Sequence, residues 1–189
     1  LPVSTLESFL FHLQQIGVNP FGSFKLSSFS VENIDEILSW VKCEKDRILW
    51  SGNSFNNGLS RDSFLQHLER NDLLAFQLSD KSKSIQAYGE IVIQSATLVS
   101  LCRIIINPKN RGVGMGKNFC KRLISEISQL NGITQVSLNT LTSNVPAMTC
   151  YRSLGFRKKA IRRKSRLIDD CWHDLILMSL NLPNKKNSV

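Results

Sequence analysis

The stretch Leu98–Leu130, LVSLCRIIINPKNRGVGMGKNFCKRLISEISQL, limits what this chain can fold into more than any other. It reads as a buried strand, a basic glycine loop and a long amphipathic helix. Ile104, Ile105 and Ile106 close an unbroken apolar run of the kind that fills an inner strand. Pro108 has no N–H for a sheet ladder, so the strand is expected to end at Asn107. Beyond the loop, Phe119, Leu123, Ile124, Ile127 and Leu130 recur at helical spacing, so a helix begins within or just after the glycines. Gly112, Gly114 and Gly116 allow positive φ and close backbone approach. A helix N-terminus behind them offers free N–H groups and about half a positive charge, which together suit a phosphate.

Spacing excludes two common phosphate ligands. A Walker A loop has four residues between its glycines and then Lys-Ser/Thr; here three residues separate Gly112 from Gly116, and Asn118 follows Lys117. The dinucleotide fingerprint G-x-G-x-x-G fails because its sixth position is Lys117. The string left over is R-x-x-G-x-G, filled by Arg111, Gly114 and Gly116.

The flanking chain predicts an α+β domain. Its 189 residues suit one domain, and 42% hydrophobic with 21% charged residues is ordinary for a globular protein. Residues 1–22 read as a helical extension, with Ser4 and Glu7 as a capping pair and Leu6, Phe9, Leu10 and Leu13 on one face. Phe24–Phe29 reads as a strand, and Ser30 as the cap of a helix bearing Ile34, Ile37, Leu38 and Val41. A polar loop over Trp50–Gly58 follows, then a helix capped by Ser60 with Phe64, Leu65 and Leu68 inward. Leu73–Leu78 and Ile85–Ile93 form a hairpin around Asp80–Lys83, the second strand alternating between an apolar face and a polar face that carries Glu90. After the central unit come a strand at Gln135–Leu141, a helix within Ser143–Phe156, and strands at Lys158–Leu167 and Trp172–Leu182 around Asp169–Asp170. The domain thus spans 23–182, and 183–189 is read as a disordered tail.

A second motif lies after the fifth strand: Asn144, Ala147, Tyr151, Gly155 and Phe156 in SNVPAMTCYRSLGF fill N-x-x-A-x-x-x-Y-x-x-x-G-F. With R-x-x-G-x-G before it and the element order around both, the chain over roughly 23–182 resembles the GNAT acetyltransferase superfamily. The ending from Gly155 to Leu180 is similar to branches that acetylate ribosomal-protein N-termini and small amines. The resemblance implies a mixed six- to seven-stranded sheet with about four helices, splayed between the fourth and fifth strands. It also implies acetyl-CoA as cosubstrate and an N-acetyltransferase that moves acetyl directly to an amine, a protein N-terminus or a small molecule, in a ternary complex.

By the same resemblance, backbone groups of Ile104, Ile105 and Ile106 meet the pantetheine arm. The N–H groups of Arg111, Gly112, Val113, Gly114, Met115, Gly116 and Lys117 hold the pyrophosphate, and Asn144 bonds the arm. Tyr151, at the motif position, is the acid or hydrogen-bond donor to the leaving thiolate. Glu90, on the polar face of the third strand, is the candidate base, acting directly or through water; its bland alternative is a solvated or ion-paired glutamate. Arg103 is a charge in a buried-looking strand and needs a partner, either Glu90 or an acceptor carboxylate.

Five dispersed cysteines and three scattered histidines suggest neither a metal site nor a disulfide framework. With no visible secretory signal or membrane span, a cytoplasmic enzyme without a membrane partner is expected, monomeric or homodimeric. The net charge is +9, and seven of the ten positions from Arg157 to Arg166 are Lys or Arg. Such runs are usually solvated faces, and without interleaved aromatics nucleic acid is not the expected partner. The competing reading is a degenerate GNAT-fold module that binds RNA or ribosome through this basic surface.

Overall fold

A computed structural model describes residues 23–183 of the chain. The expected N-terminal helix and residues 184–189 of the tail lie outside the described residues. Seven strands form one sheet: β1 (Lys25–Ser28), β2 (Leu73–Ser79), β3 (Ile85–Ile93), β4 (Leu98–Ile106), β5 (Gln135–Leu141), β6 (Arg157–Ile168) and β7 (Cys171–Asn181), in the order β1-β2-β3-β4-β5-β7-β6. All pairings are antiparallel except β4 with β5. The α-helices among the described residues are α1 (Ile34–Ser39), α2 (Glu44–Ser51), α3 (Arg61–Leu68), α4 (Met115–Ile127) and α5 (Val145–Ser153).

Among the described residues, two large apolar cores lie against the sheet, with a small third cluster of Leu141, Ile168 and Leu175 beside Ile48. In one, Met115, Phe119, Leu123 and Ile127 of α4 pack on Ala87, Ile91, Val99, Leu101, Val136 and Leu138. In the other, Ile34, Ile37 and Phe64 of the early helices pack with Trp40, Phe55, Ile85, Tyr88 and Ile105. This double cover means that the polar face expected of β3 is interior as well. Every residue from Ile85 to Val92 is buried, Gln86, Tyr88 and Glu90 included, while Ile93 at the end is exposed.

Two local expectations also change. Glu44–Ser51, read in part as open loop, is helical. Cys43 gives it no side-chain cap, but the Asp46 carboxylate reaches back to accept the Lys42 N–H at 3.0 Å, and Arg47 Nε donates to Glu44 at 2.7 Å. Ser30 does not cap with its hydroxyl; a 3-10 turn over Val31–Asn33 precedes α1, and the Ser30 N–H is taken by Gln77 Oε1 at 3.1 Å. Ser60 does cap α3, in a reciprocal box with Ser63.

β6 is an edge strand, and most of its length is exposed. Of its seven cations from Arg157 to Arg166, only Arg163 is ion-paired among the described residues, with Asp174 at 3.0 Å. Lysine and arginine along a free edge deter pairing with another chain.

Candidate active site

The site begins where β4 and β5 part. They pair only at Leu98 with Gln135, Val99 with Val136 and Ser100 with Ser137. A hydroxyl clasp marks the crotch: Ser100 Oγ and Ser137 Oγ are 2.6 Å apart, and Ser137 Oγ donates to the Val99 carbonyl at 3.3 Å. Beyond it, β5 continues on β7 as far as Leu141, while β4 continues on β3 as far as Ile106. Ile104–Ile106 therefore runs with no partner strand on its β5 side. Backbone amides need hydrogen bonds, so this unpaired edge offers a docking line to an extended ligand that carries amides of its own.

The edge leads directly to the glycine loop. Asn107 Oδ1 accepts the Lys109 N–H at 3.1 Å and starts a 3-10 turn over Pro108–Asn110. Arg111 Nε donates to the Ile106 carbonyl at 3.1 Å, so the loop folds back over the strand end. Gly112 and Gly114 have φ of 78° and 86°, and Gly114 is the N-cap of α4. Gly116, expected to share this conformation, lies inside the helix without it; an added Cβ there would sit 3.7 Å from Ile106 Cγ1. The first-turn N–H groups of α4 are thus delivered to the end of the open β4 edge.

Facing β4 across the fork is α5. Asn144 caps it, its Oδ1 accepting the Ala147 N–H at 3.2 Å, which leaves the amide Nδ2 to donate elsewhere. Tyr151 is half-buried, 5.9 Å from Phe156 ring to ring, and its hydroxyl makes no hydrogen bond among the described residues. Burial, reinforced by the thiols of Cys120, Cys150 and Cys102, pushes its ionisation well above the usual phenol value. Cys102 belongs to β4 and Cys120 to α4, so the phenol sits between the helices and the diverging strand.

On the other face, β4 carries a bulge. Tyr88 pairs with Ile105 and Glu90 with Cys102, so Arg103 and Ile104 together oppose Gly89. Arg103 has φ of 47°, unusual for a residue with a side chain. Its carbonyl accepts Trp50 Nε1 at 2.7 Å, and its Nη1 donates to Ser54 Oγ at 2.8 Å. Its Nε and Nη2 both engage Glu90 Oε2. α2 is thus what brings Trp50 over the bulge.

Glu90, read as lying on the polar face of β3, is wholly buried there and ion-paired with Arg103 rather than solvated. Tyr88 Oη donates to its Oε1 at 2.6 Å, and His67 Nε2 lies 3.2 Å from both oxygens. An ionised carboxylate only accepts, which places the His67 proton on Nε2. Burial alone would raise the Glu90 pKa, but hydrogen bonds from His67 and Arg103 and the Arg103 charge together hold it below the usual carboxylate range. Of the two partners sequence allowed for Arg103, the structure gives it Glu90.

Comparison with known proteins fits this geometry. The FR47-like protein family matches residues 78–167. The ribosomal protein bS18-alanine N-acetyltransferase of Escherichia coli K12 is 32% identical over 108 residues, covering 57% of this chain and 70% of that one. The chain belongs to the GNAT family of N-acetyltransferases. GNAT enzymes take the acetyl group from acetyl-CoA. A bS18-alanine N-acetyltransferase from Haemophilus ducreyi is 24% identical over 155 residues, covering 82% of this chain and 91% of that one. Among solved structures, a Vibrio cholerae spermidine N-acetyltransferase in complex with CoA and spermine superposes with TM-score 0.73 at 16% identity, covering 84% of this chain and 95% of that one. The E. coli ribosomal-protein-S18-alanine N-acetyltransferase gives TM-score 0.68 at 22% identity, covering 88% and 98%. These likenesses establish the GNAT fold for the fork, loop and helix described above.

Sequence reasoning missed the Ser100–Ser137 clasp, the part played by Trp50 and Ser54, and His67. Serine pairs and lone aromatics give no pattern; the charge inside LCRIII was the one available sign of the bulge.

Proposed function

We propose that this GNAT enzyme acetylates the α-amino group of a peptide or protein N-terminus by direct attack on acetyl-CoA in a ternary complex. The observation that carries the proposal is the fork: an unpaired Ile104–Ile106 edge running into the N-terminus of α4. The pantetheine amides bond that edge and Asn144 Nδ2, and the pyrophosphate lies on the N–H groups between Arg111 and Lys117. A backbone N–H of Ile105 or Ile106 stabilises the oxyanion. The amine nitrogen forms a bond to the acetyl carbon, the C–S bond breaks, and the amine proton ends on the thiol.

The state of Glu90 supports the choice of acceptor. A carboxylate saturated by Arg103, His67 and Tyr88 and held at low pKa is a poor proton acceptor. We assign it to positioning: it fixes Arg103, and with it the bulge that sets the Ile104–Ile106 amides. Without a strong base, the acceptor must supply its own neutral amine. An α-amino group with a pKa of about 7.7–8.0 does so near pH 7–8, whereas a lysine-type amine at about 10.4 does so more than a hundredfold less readily. The relatives named for ribosomal-protein alanine acetylation agree with that class.

A thiol-release screen tests this. Peptides with free N-termini are expected to be turned over and N-acetylated peptides bearing lysine refused; turnover of the blocked lysine peptides at the higher rate would reject the assignment. For the cofactor loop, Gly114→Ala places a side chain at φ of 86°. Left-handed backbone costs about 1–2 kcal/mol outside glycine, so the acetyl-CoA Kd is expected to rise about tenfold or more by calorimetry. An unchanged Kd would place the pyrophosphate elsewhere.

A further inference from the structure

A cleft of about 240 Å³ lies between the loop after α2 and the β6–β7 hairpin, lined by Ile48, Asn53, Asn56, Arg166, Leu167 and Trp172 among others. Arg166 is the feature to explain. It is half-buried, its Nη1 donates to Asn53 Oδ1 at 3.1 Å and to the Ser165 carbonyl at 3.3 Å, and among the described residues it has no ion pair. The other guanidinium of the cleft, Arg47, is neutralised by Glu44. Burial is what acts on Arg166, and it pushes the pKa down; no carboxylate offsets it. With Nη1 taken, the Nε–Nη2 edge of this partly desolvated guanidinium, packed beside Gly52, is what remains at the wall of the open cleft to meet a carboxylate.

Beside it, Leu167 and Trp172 are cross-strand partners 46% and 58% exposed, an apolar surface left in water. The cleft is also tied to the reaction centre. Asn53, which holds Arg166, is followed by Ser54, which holds Arg103 at the β4 bulge. The charge balance is positive: from Arg157 through β7, seven cations face three aspartates, and of these Asp169 is paired with Lys45 and Asp174 with Arg163.

We infer that this cleft is an acceptor subsite for a carboxylate: an acidic side chain of the acceptor docks on Arg166 while a neighbouring apolar group covers Trp172 and Leu167. The assignment rests on the reading of a peptide acceptor and narrows it to peptides acidic near the N-terminus. The same charge repels polyamines, so the structural likeness to a spermidine acetyltransferase extends to fold and not to acceptor.

The test uses peptides identical except for Glu, Gln or Lys at one of positions two to four, followed both by thiol release and by tryptophan fluorescence in the presence of CoA. At low salt the best position is expected to favour Glu over Gln by about tenfold or more in kcat/KM and in affinity, and 0.5 M salt should shrink the ratio. Arg166→Gln should bring the ratio close to one, and Arg166→Glu should turn the preference towards Lys. Equal handling of Glu and Gln at every position, or a preference that survives Arg166→Gln, overturns the assignment. Fluorescence selectivity for Glu, lost in Arg166→Gln but without thiol release, supports the cleft and counts against the transfer reading alone.

Discussion

Glu90→Gln is expected to lower the melting temperature by roughly 6–20 °C, the equivalent of about 3–5 kcal/mol in a domain of this size. The amide keeps the shape but removes the charge, leaving the Arg103 guanidinium buried without an anion. Its NH2 group must also face one of the donors that now converge on the carboxylate, Arg103, His67 Nε2 or Tyr88 Oη. The cluster's weight depends on pH in a definite direction. The folded Glu90 carboxyl sits below its unfolded value, so its stabilisation is present above the unfolded pKa of about 4.3 and is lost as pH falls through the folded one. Replacing both Glu90 and Arg103 by apolar residues should recover most of the loss, because no charge is then stranded. Catalysis separates the two roles open to Glu90. If it were the base, the rate deficit of Glu90→Gln would shrink as rising pH deprotonates the amine unaided; a positioning role leaves the deficit level across pH. A variant melting within about 2 °C of the parent would sink the stability argument.

Much of the local structure around the candidate site was readable because it depends on short-range chemistry. Pro108 ends β4 within one residue of the expected point, positive φ at Gly112 and Gly114 requires glycine, and the spacing of Phe119, Leu123 and Ile127 fixes the buried face of α4. What escaped depends on long-range cover. The polar side chains of β3 alternate as they would on a wet sheet face, and only helices packed on that face make them interior. A non-glycine residue at φ of 47° gives no local sign, because the bulge at Arg103 is held by Trp50, Ser54 and Glu90, distant in sequence. Helix α2 is short, lacks a capping side chain at Cys43 and has a weak apolar stripe, so its formation rests on the Asp46 carboxylate and on docking of Trp50.

Tyr151→Phe is expected to lower kcat about 10²-fold or more while leaving the acetyl-CoA KM nearly unchanged. The change removes one oxygen from a helix whose ring still packs on Phe156, so folding should be preserved. The form of the loss follows from the environment of the phenol. Even at the usual value of about 10, a phenol is a weaker acid than a thiol at about 8.5, so full proton transfer to sulfur is uphill by about 2 kcal/mol. Burial moves Tyr151 further in that direction. We propose that the hydroxyl holds its proton and donates a hydrogen bond to the charge growing on sulfur, while the attacking amine supplies the proton that finally reaches the thiol. Two results follow for the pH dependence of kcat. The parent enzyme should show no falling limb at or below about pH 10, because Tyr151 stays protonated there. The deficit of Tyr151→Phe should be the same at every pH, as expected for a lost hydrogen bond. A thioester whose thiol is more acidic should be cleaved by Tyr151→Phe with a smaller deficit, since its thiolate needs less support. Undiminished turnover in Tyr151→Phe would show that sulfur leaves without it.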